Sequence, residues 1–171
     1  MEIGFLADHP EFIEALAPLV AEHWRPILTG ETVASRTAKL RDHLNRKILP
    51  IAWVAYSQST VFGTAALRAQ DLPGHEHLTP WLGGVFVVPQ FRGKGIGAAL
   101  TAAVEQYAKN LPGISTLYLF TLDKQAWYKS LGWSMLEPCT WCNRAGDIMM
   151  KELHANRETE SAPYANEKRT L

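Results

Sequence analysis

The stretch FVVPQFRGKGIGAAL, Phe86 to Leu100, constrains this chain more than any other. An apolar run, Leu82 to Val88, reads as a buried strand. From Gly95 onward Ile96, Ala99, Leu100, Ala103, Val104 and Tyr107 recur at helical spacing. Between them lie Gly93, Gly95 and Gly97 with Arg92 and Lys94. A strand-to-helix junction presents unpaired backbone N–H groups and the positive end of the helix dipole, an arrangement suited to phosphate oxygens. Glycine lets those oxygens approach the main chain, and the cations add charge-assisted contacts. A plain turn has no need of three glycines and two cations.

Two familiar phosphate loops fit poorly. A nucleotide P-loop requires GxxxxGK[ST], but the residue five before Gly93 is Val88, and Gly95 follows Lys94. The dinucleotide pattern GxGxxG/A matches GKGIGA, with Asp123 at a plausible distance for a ribose contact. In that fold, however, the strand runs directly into the first glycine. Here PQFR intervenes, and about half the chain, antiparallel in character, comes before it.

The rest of the chain reads as strand Ile3–Leu6, then a helix capped by Asp8 that carries Phe12, Leu16, Leu19, Val20 and Trp24 inward, with Pro18 expected to kink it. Thr32 caps a polar second helix reaching about Arg46. Ile51–Tyr56 and Val61–Leu67 flank SQST as an antiparallel hairpin. A loop, DLPGHEHLTP, precedes the buried strand. After the alanine-rich helix come strand Thr116–Thr121, a short helix capped by Asp123 and closed by Gly132, and strands near Trp133–Glu137 and Asp147–Leu153. The order predicts an α+β fold with a mixed, mostly antiparallel central sheet flanked by helices. Residues 1–153 form one domain, and 154–171 a polar, flexible tail.

Composition excludes several classes. Lys plus Arg and Asp plus Glu both number 17, so no global field favours nucleic acid or an anionic membrane. The start, MEIGFLADHPEF, lacks the basic flank and long apolar run of a signal peptide, and no apolar segment approaches a membrane span. Cys139 and Cys142 form a CxxC without a second pair, half the ligand set of a zinc site. The expectation is a cytoplasmic protein without a bound metal, monomeric or homodimeric.

VxPxxRGxGxGxxL, carried by Val87, Pro89, Arg92, Gly95, Gly97 and Leu100, resembles the acetyl-coenzyme A loop of the GNAT superfamily of N-acetyltransferases. WYKSLGW, Trp127 to Trp133, is similar to that superfamily's Y-x-x-x-G-[FW] element, and the element order over residues 3–153 matches. LTPW, LYLFT and YKSLGW together look similar to its actin N-terminal acetyltransferase branch. The resemblance implies a splayed strand pair at the acetyl-CoA site, with Val85, Phe86 and Val87 along the pantetheine arm. It implies that the N–H groups of Arg92, Gly93, Lys94, Gly95, Ile96, Gly97 and Ala98 hold the pyrophosphate. Thr121 occupies a cofactor-binding position where many relatives have asparagine. Tyr128 aligns with the tyrosine that binds near the thioester and protonates the departing sulfur. The activity implied is acetyl transfer from acetyl-CoA to a primary amine, on a peptide N-terminus or a small molecule. The other class left open is a non-catalytic acyl-CoA-binding sensor or assembly module.

The base is the least legible part. No carboxylate lies in Trp81–Val88, so the titratable groups are Asp71, His75, Glu76 and His77 in the loop before it, and Glu76 is the carboxylate assigned to the role. An α-amine near pKa 8 is roughly a tenth neutral at pH 7, against less than about 0.1% for a lysine ε-amine, so a site without a strong base suits the former. Trp24 and Arg25, with His77, Thr79 and Trp81, are the expected acceptor-binding residues.

Overall fold

The computed structural model describes residues 1–153, so the expected tail lies outside the described residues. Its strands are β1 (Glu2–Phe5), β2 (Ile51–Ser57), β3 (Thr60–Arg68), β4 (Trp81–Val87), β5 (Thr116–Thr121), β6 (Ser134–Trp141) and β7 (Arg144–Glu152). The helices are α1 (Phe12–Trp24), α2 (Val33–Asp42), α3 (Ile96–Lys109) and α4 (Gln125–Ser130). They form one seven-stranded sheet in the order β1-β2-β3-β4-β5-β7-β6. Every neighbouring pair is antiparallel except β4 and β5.

Alternation explains how the two faces are covered. On β2, Ala52 and Val54 pack with Leu6, Phe12, Ile13, Leu16, Ala17 and Leu40 beneath α1 and α2. The intervening Ile51, Trp53 and Ala55 face α3 through Ile96, Leu100, Val104 and Ala108. A strand buried on both faces reads as a continuous apolar run, which is what IAWVA shows.

Four expectations change in detail. Pro18 does not divide α1, which runs unbroken from Phe12 to Trp24. Both Pro18 and Glu14, whose carbonyl the proline leaves unbonded, lie on the solvent face. Asp8 does not cap α1; it pairs with Arg46 instead, and the helix begins after Glu11 without a side-chain cap. Thr32 does cap α2, in a reciprocal bond pair with Ser35, but α2 ends at Asp42 rather than near Arg46. There Asn45 bonds the carbonyls of Asp42 and Pro50 and turns the chain toward β2. The last hairpin is longer than expected, because Pro138 sits in an edge strand where its missing N–H is tolerated. Cys139 lies in β6, and Cys142 sits with Asn143 in the hairpin turn, both at positive φ. No helix among the described residues is long and apolar enough to cross a membrane.

Candidate active site

Strands β4 and β5 pair at a single position, Trp81 with Tyr118, and beyond it no ladder joins them. A bulge on the other side of β4, between Thr64 and Ala66 of β3, bends the strand away. Val85, Phe86 and Val87 therefore border a cleft of about 1140 Å³, which reaches from the α3 N-terminus to α2.

One end of the cleft is built by the glycine loop. Arg92 donates Nε–H to the Val87 carbonyl at 3.0 Å, which folds the loop back on its strand. Gly93 and Gly95 have φ of +74° and +76°, left-handed backbone that side chains rarely adopt. Gly95 is the N-cap of α3, and no side chain caps that helix. Its first N–H groups, at Ile96, Gly97 and Ala98, belong to residues that line the cleft, as do Arg92, Gly93 and Gly95. Lys94 does not line it; its ammonium lies 5.7 Å from the Phe91 ring centroid. Thr121 lines the cleft and is buried, with Oγ1 accepting the Lys124 N–H at 3.0 Å to set the turn into α4.

Tyr128 comes from α4 into the middle of the cleft. Its ring packs between Trp127 and Trp133, at 4.7 and 6.0 Å between centroids, and the residue is 8% exposed. Its hydroxyl has no hydrogen-bond partner among the described residues. Burial, then the negative charge of Asp71, push the phenol above its ordinary pKa, so it stays protonated.

The far end is polar. Arg36, Lys39 and His43 form one stripe of α2 at helical spacing, and they meet Arg68 and Asp71. His43 has Nδ1 2.5 Å from the Lys39 carbonyl, which places its proton there, and Nε2 accepts Arg68 Nε–H at 3.1 Å. Arg68 Nη1 donates to Asp71 Oδ1 at 2.6 Å. This pair lies flat on the β4 backbone: a Cβ at Gly83 would stand 3.0 Å from Arg68 Nη1 and 3.1 Å from Asp71 Oδ1. Gly84, at φ +60°, would put a Cβ 2.9 Å from Arg68 Nη2, so a side chain there would strain the backbone and displace the guanidinium.

Burial, with Arg68 beside it, lowers His43 from 6.5 to about 4. The folded pKa lies below the unfolded one, so the unfolded chain binds more protons and stability is lost as pH falls from about 6.5 toward 4. At most roughly 3 kcal/mol is involved. Urea unfolding at pH 7 and pH 4.5 should show this loss, and His43→Gln should remove much of the difference.

Several expected residues are elsewhere. Trp81 is fully buried, with Nε1–H donated to the Leu78 carbonyl at 2.5 Å, because it sits where β4 still pairs with β5. Glu76 is exposed and outside the cleft; its carboxylate accepts the Gly74 N–H at 2.8 Å, which lowers its pKa and makes it a poorer base. His77 is exposed and stacks on His75, and Thr79 is exposed in the same loop; neither lines the cleft. Arg25 points away, paired with Glu22 at 2.6 Å. Trp24 does line the cleft.

Others came into view only through folding. His23 lies beside Phe86 at 5.4 Å between centroids, its pKa lowered by burial and then by Arg92. Phe120, Trp127, Trp141 and Arg144 complete the walls.

Residues 17–133 match the model of the Acetyltransferase (GNAT) family. The chain belongs to that family. No curated protein matches the sequence at a significant level. Solved structures share the GNAT fold at low identity. One is an aminoglycoside 6′-N-acetyltransferase complexed with coenzyme A, at 19% identity and TM-score 0.69, covering 92% of this chain and all of that one. Another is ribosomal-protein-alanine N-acetyltransferase from Brucella melitensis, at 19% and 0.68, covering 90% and all. A third is Arabidopsis thaliana NAA60 with a bisubstrate analogue, at 15% and 0.64, covering 91% and all. The splay of β4 from β5, set between the glycine loop and Tyr128, is where this GNAT chain departs from a continuous sheet.

Proposed function

We propose that the protein transfers the acetyl group of acetyl-CoA to a primary amine within this cleft. The observation that carries the reading is the convergence of three features: an uncapped α3 N-terminus, an open β4 edge and a buried, protonated tyrosine whose hydroxyl has no partner among the described residues. Coenzyme A has a pyrophosphate for the first, an amide-bearing arm for the second and a sulfur for the third. The structural relatives bound to coenzyme A or a bisubstrate analogue support the same donor.

In the reaction, a neutral amine attacks the thioester carbonyl carbon, a C–N bond forms, and the C–S bond breaks. The nitrogen gives up a proton to Asp71, which passes it to solvent, and Tyr128 Oη–H supplies one to the sulfur, leaving an amide and a thiol. Tyr128 recovers its proton from solvent. On the amine side Asp71, which lines the cleft as Glu76 does not, is the carboxylate assigned to the role, and Arg68, fixed by His43, holds it in place.

The first test is thermal unfolding with acetyl-CoA, coenzyme A, NAD and ATP in separate samples. A ligand at about 100 times its Kd stabilises by about 2.7 kcal/mol. Stabilisation by both coenzyme A species and not by NAD or ATP is the expected result; stabilisation by NAD alone would replace the reading with a dinucleotide site.

A further inference from the structure

The polar end of the cleft carries a charge pattern that selects among amines. Arg36 has a side chain only 8% exposed, and its Nε donates to Glu31 Oε1 at 2.6 Å. No hydrogen bond joins its two terminal nitrogens to any of the described residues, and Arg36 lines the cleft. A buried guanidinium with its planar end open is shaped to take a carboxylate through two parallel bonds.

Its neighbours reinforce the charge. Lys39, one turn along α2, has Nζ 3.5 Å from Glu31 Oε2 and is half exposed. Arg68 lines both the cleft and a small cavity of about 20 Å³ that Arg36, Lys39, His43 and Gly84 share. Arg144 enters from β7. Against these four cations stand two carboxylates, and Glu31 is 3% exposed and already paired. Of the two, Asp71 offers an oxygen, Oδ2, without a hydrogen-bond partner among the described residues. A polycationic amine would meet net repulsion here, and a carboxylate net attraction.

The way in is also restricted. Arg144 Nη2 donates to the Pro26 carbonyl at 2.9 Å, and Trp24 meets Trp141 edge-on at 6.4 Å. The β6–β7 hairpin thus touches the segment after α1, and Trp24, Trp141 and Arg144 of that contact all line the cleft.

We propose that the acceptor is a compact amine bearing its own carboxylate, an amino-acid-like zwitterion. The Arg36 fork takes the carboxylate, with Lys39 and Arg68 beside it, and the ammonium faces Asp71. This inference rests on the acetyl-transfer reading and narrows it to one substrate class.

The test is thiol release from acetyl-CoA with a panel of α-amino acids, the matching α-carboxamides, peptides extended from the same residues, and an aminoglycoside. The expected kcat/KM for the best amino acid exceeds that for its carboxamide about tenfold to a hundredfold, as for a charge-assisted bidentate contact. The peptide and the aminoglycoside should fall below both. Arg36→Lys keeps a partner for Glu31 and loses the fork, so it should remove at least about tenfold of the acid-to-amide ratio, mainly through KM. Lys39→Ala, at a half-exposed side chain, keeps the test open should Arg36→Lys fail to fold, and should reduce the ratio a few-fold. A carboxamide, peptide or aminoglycoside used as well as the amino acid would overturn the inference and leave acetyl transfer standing. No thiol release from any amine, with coenzyme A still raising the melting temperature, would overturn both.

Discussion

Tyr128→Phe should lower kcat by about a hundredfold to a thousandfold while the Kd for acetyl-CoA stays within about twofold. The substitution removes one oxygen and nothing else. That oxygen bonds no described residue, so the ring packing against Trp127 and Trp133 is preserved and the melting temperature should barely move. What disappears, on the proposed mechanism, is the proton donor to the departing sulfur. Burial and the Asp71 charge raise the phenol's pKa, so the hydroxyl stays protonated across the neutral and mildly alkaline range. The alkaline limb of a kcat profile up to about pH 9 should therefore not belong to Tyr128, and the phenylalanine variant should keep that limb at a lower plateau. If Tyr128 were only a core aromatic, kcat would be unchanged. A non-catalytic acyl-CoA binder would show no turnover in either form but would bind both equally.

The proposed cofactor end of this site was legible because its residues are contiguous. Gly93, Gly95 and Gly97 fall between a strand and a helix, and their anion-binding geometry is a local property of that junction. The proposed acceptor end was not, because Arg36 comes from α2 while Arg68 and Asp71 come from the end of β3 and the loop after it, and the two segments meet only on folding. One signal was present: Arg36, Lys39 and His43 share one stripe of a helix that is otherwise poor in apolar residues. The Trp81 reading failed for a related reason. Alternation shows that Trp81 and Val85 lie in the same strand, but not where that strand leaves its parallel neighbour. Pairing persists at Trp81 and has ended by Val85, so one end of β4 is core and the other lines the cleft. Glu76 and Asp71 differ in the same way. Both lie between β3 and β4, but Asp71 is held three residues along from Arg68, while Glu76 turns outward to its own loop.

Gly95→Val should weaken coenzyme A binding by about a hundredfold or more. Two effects combine there. Gly95 has φ of +76°, and holding a non-glycine residue in left-handed backbone costs roughly 1–2 kcal/mol, more for a β-branched one. The second effect concerns the ligand. Apart from its own chain neighbours, no described atom lies within 4 Å of a Cβ at Gly95, so the fold leaves open space there. It would project instead beside the leading N–H groups of α3, which no side chain caps and which the proposed pyrophosphate would approach. Gly113→Val separates the two effects. Gly113 has the same φ, +76°, and equally open surroundings, but lies after α3 and does not line the cleft. Both variants should lose similar stability, measured by urea unfolding, and only Gly95→Val should lose coenzyme A affinity, measured by calorimetry. Equal affinity in the two variants would mean that the open space at Gly95 is ordinary solvent, and the anion would then have to lie elsewhere along the cleft.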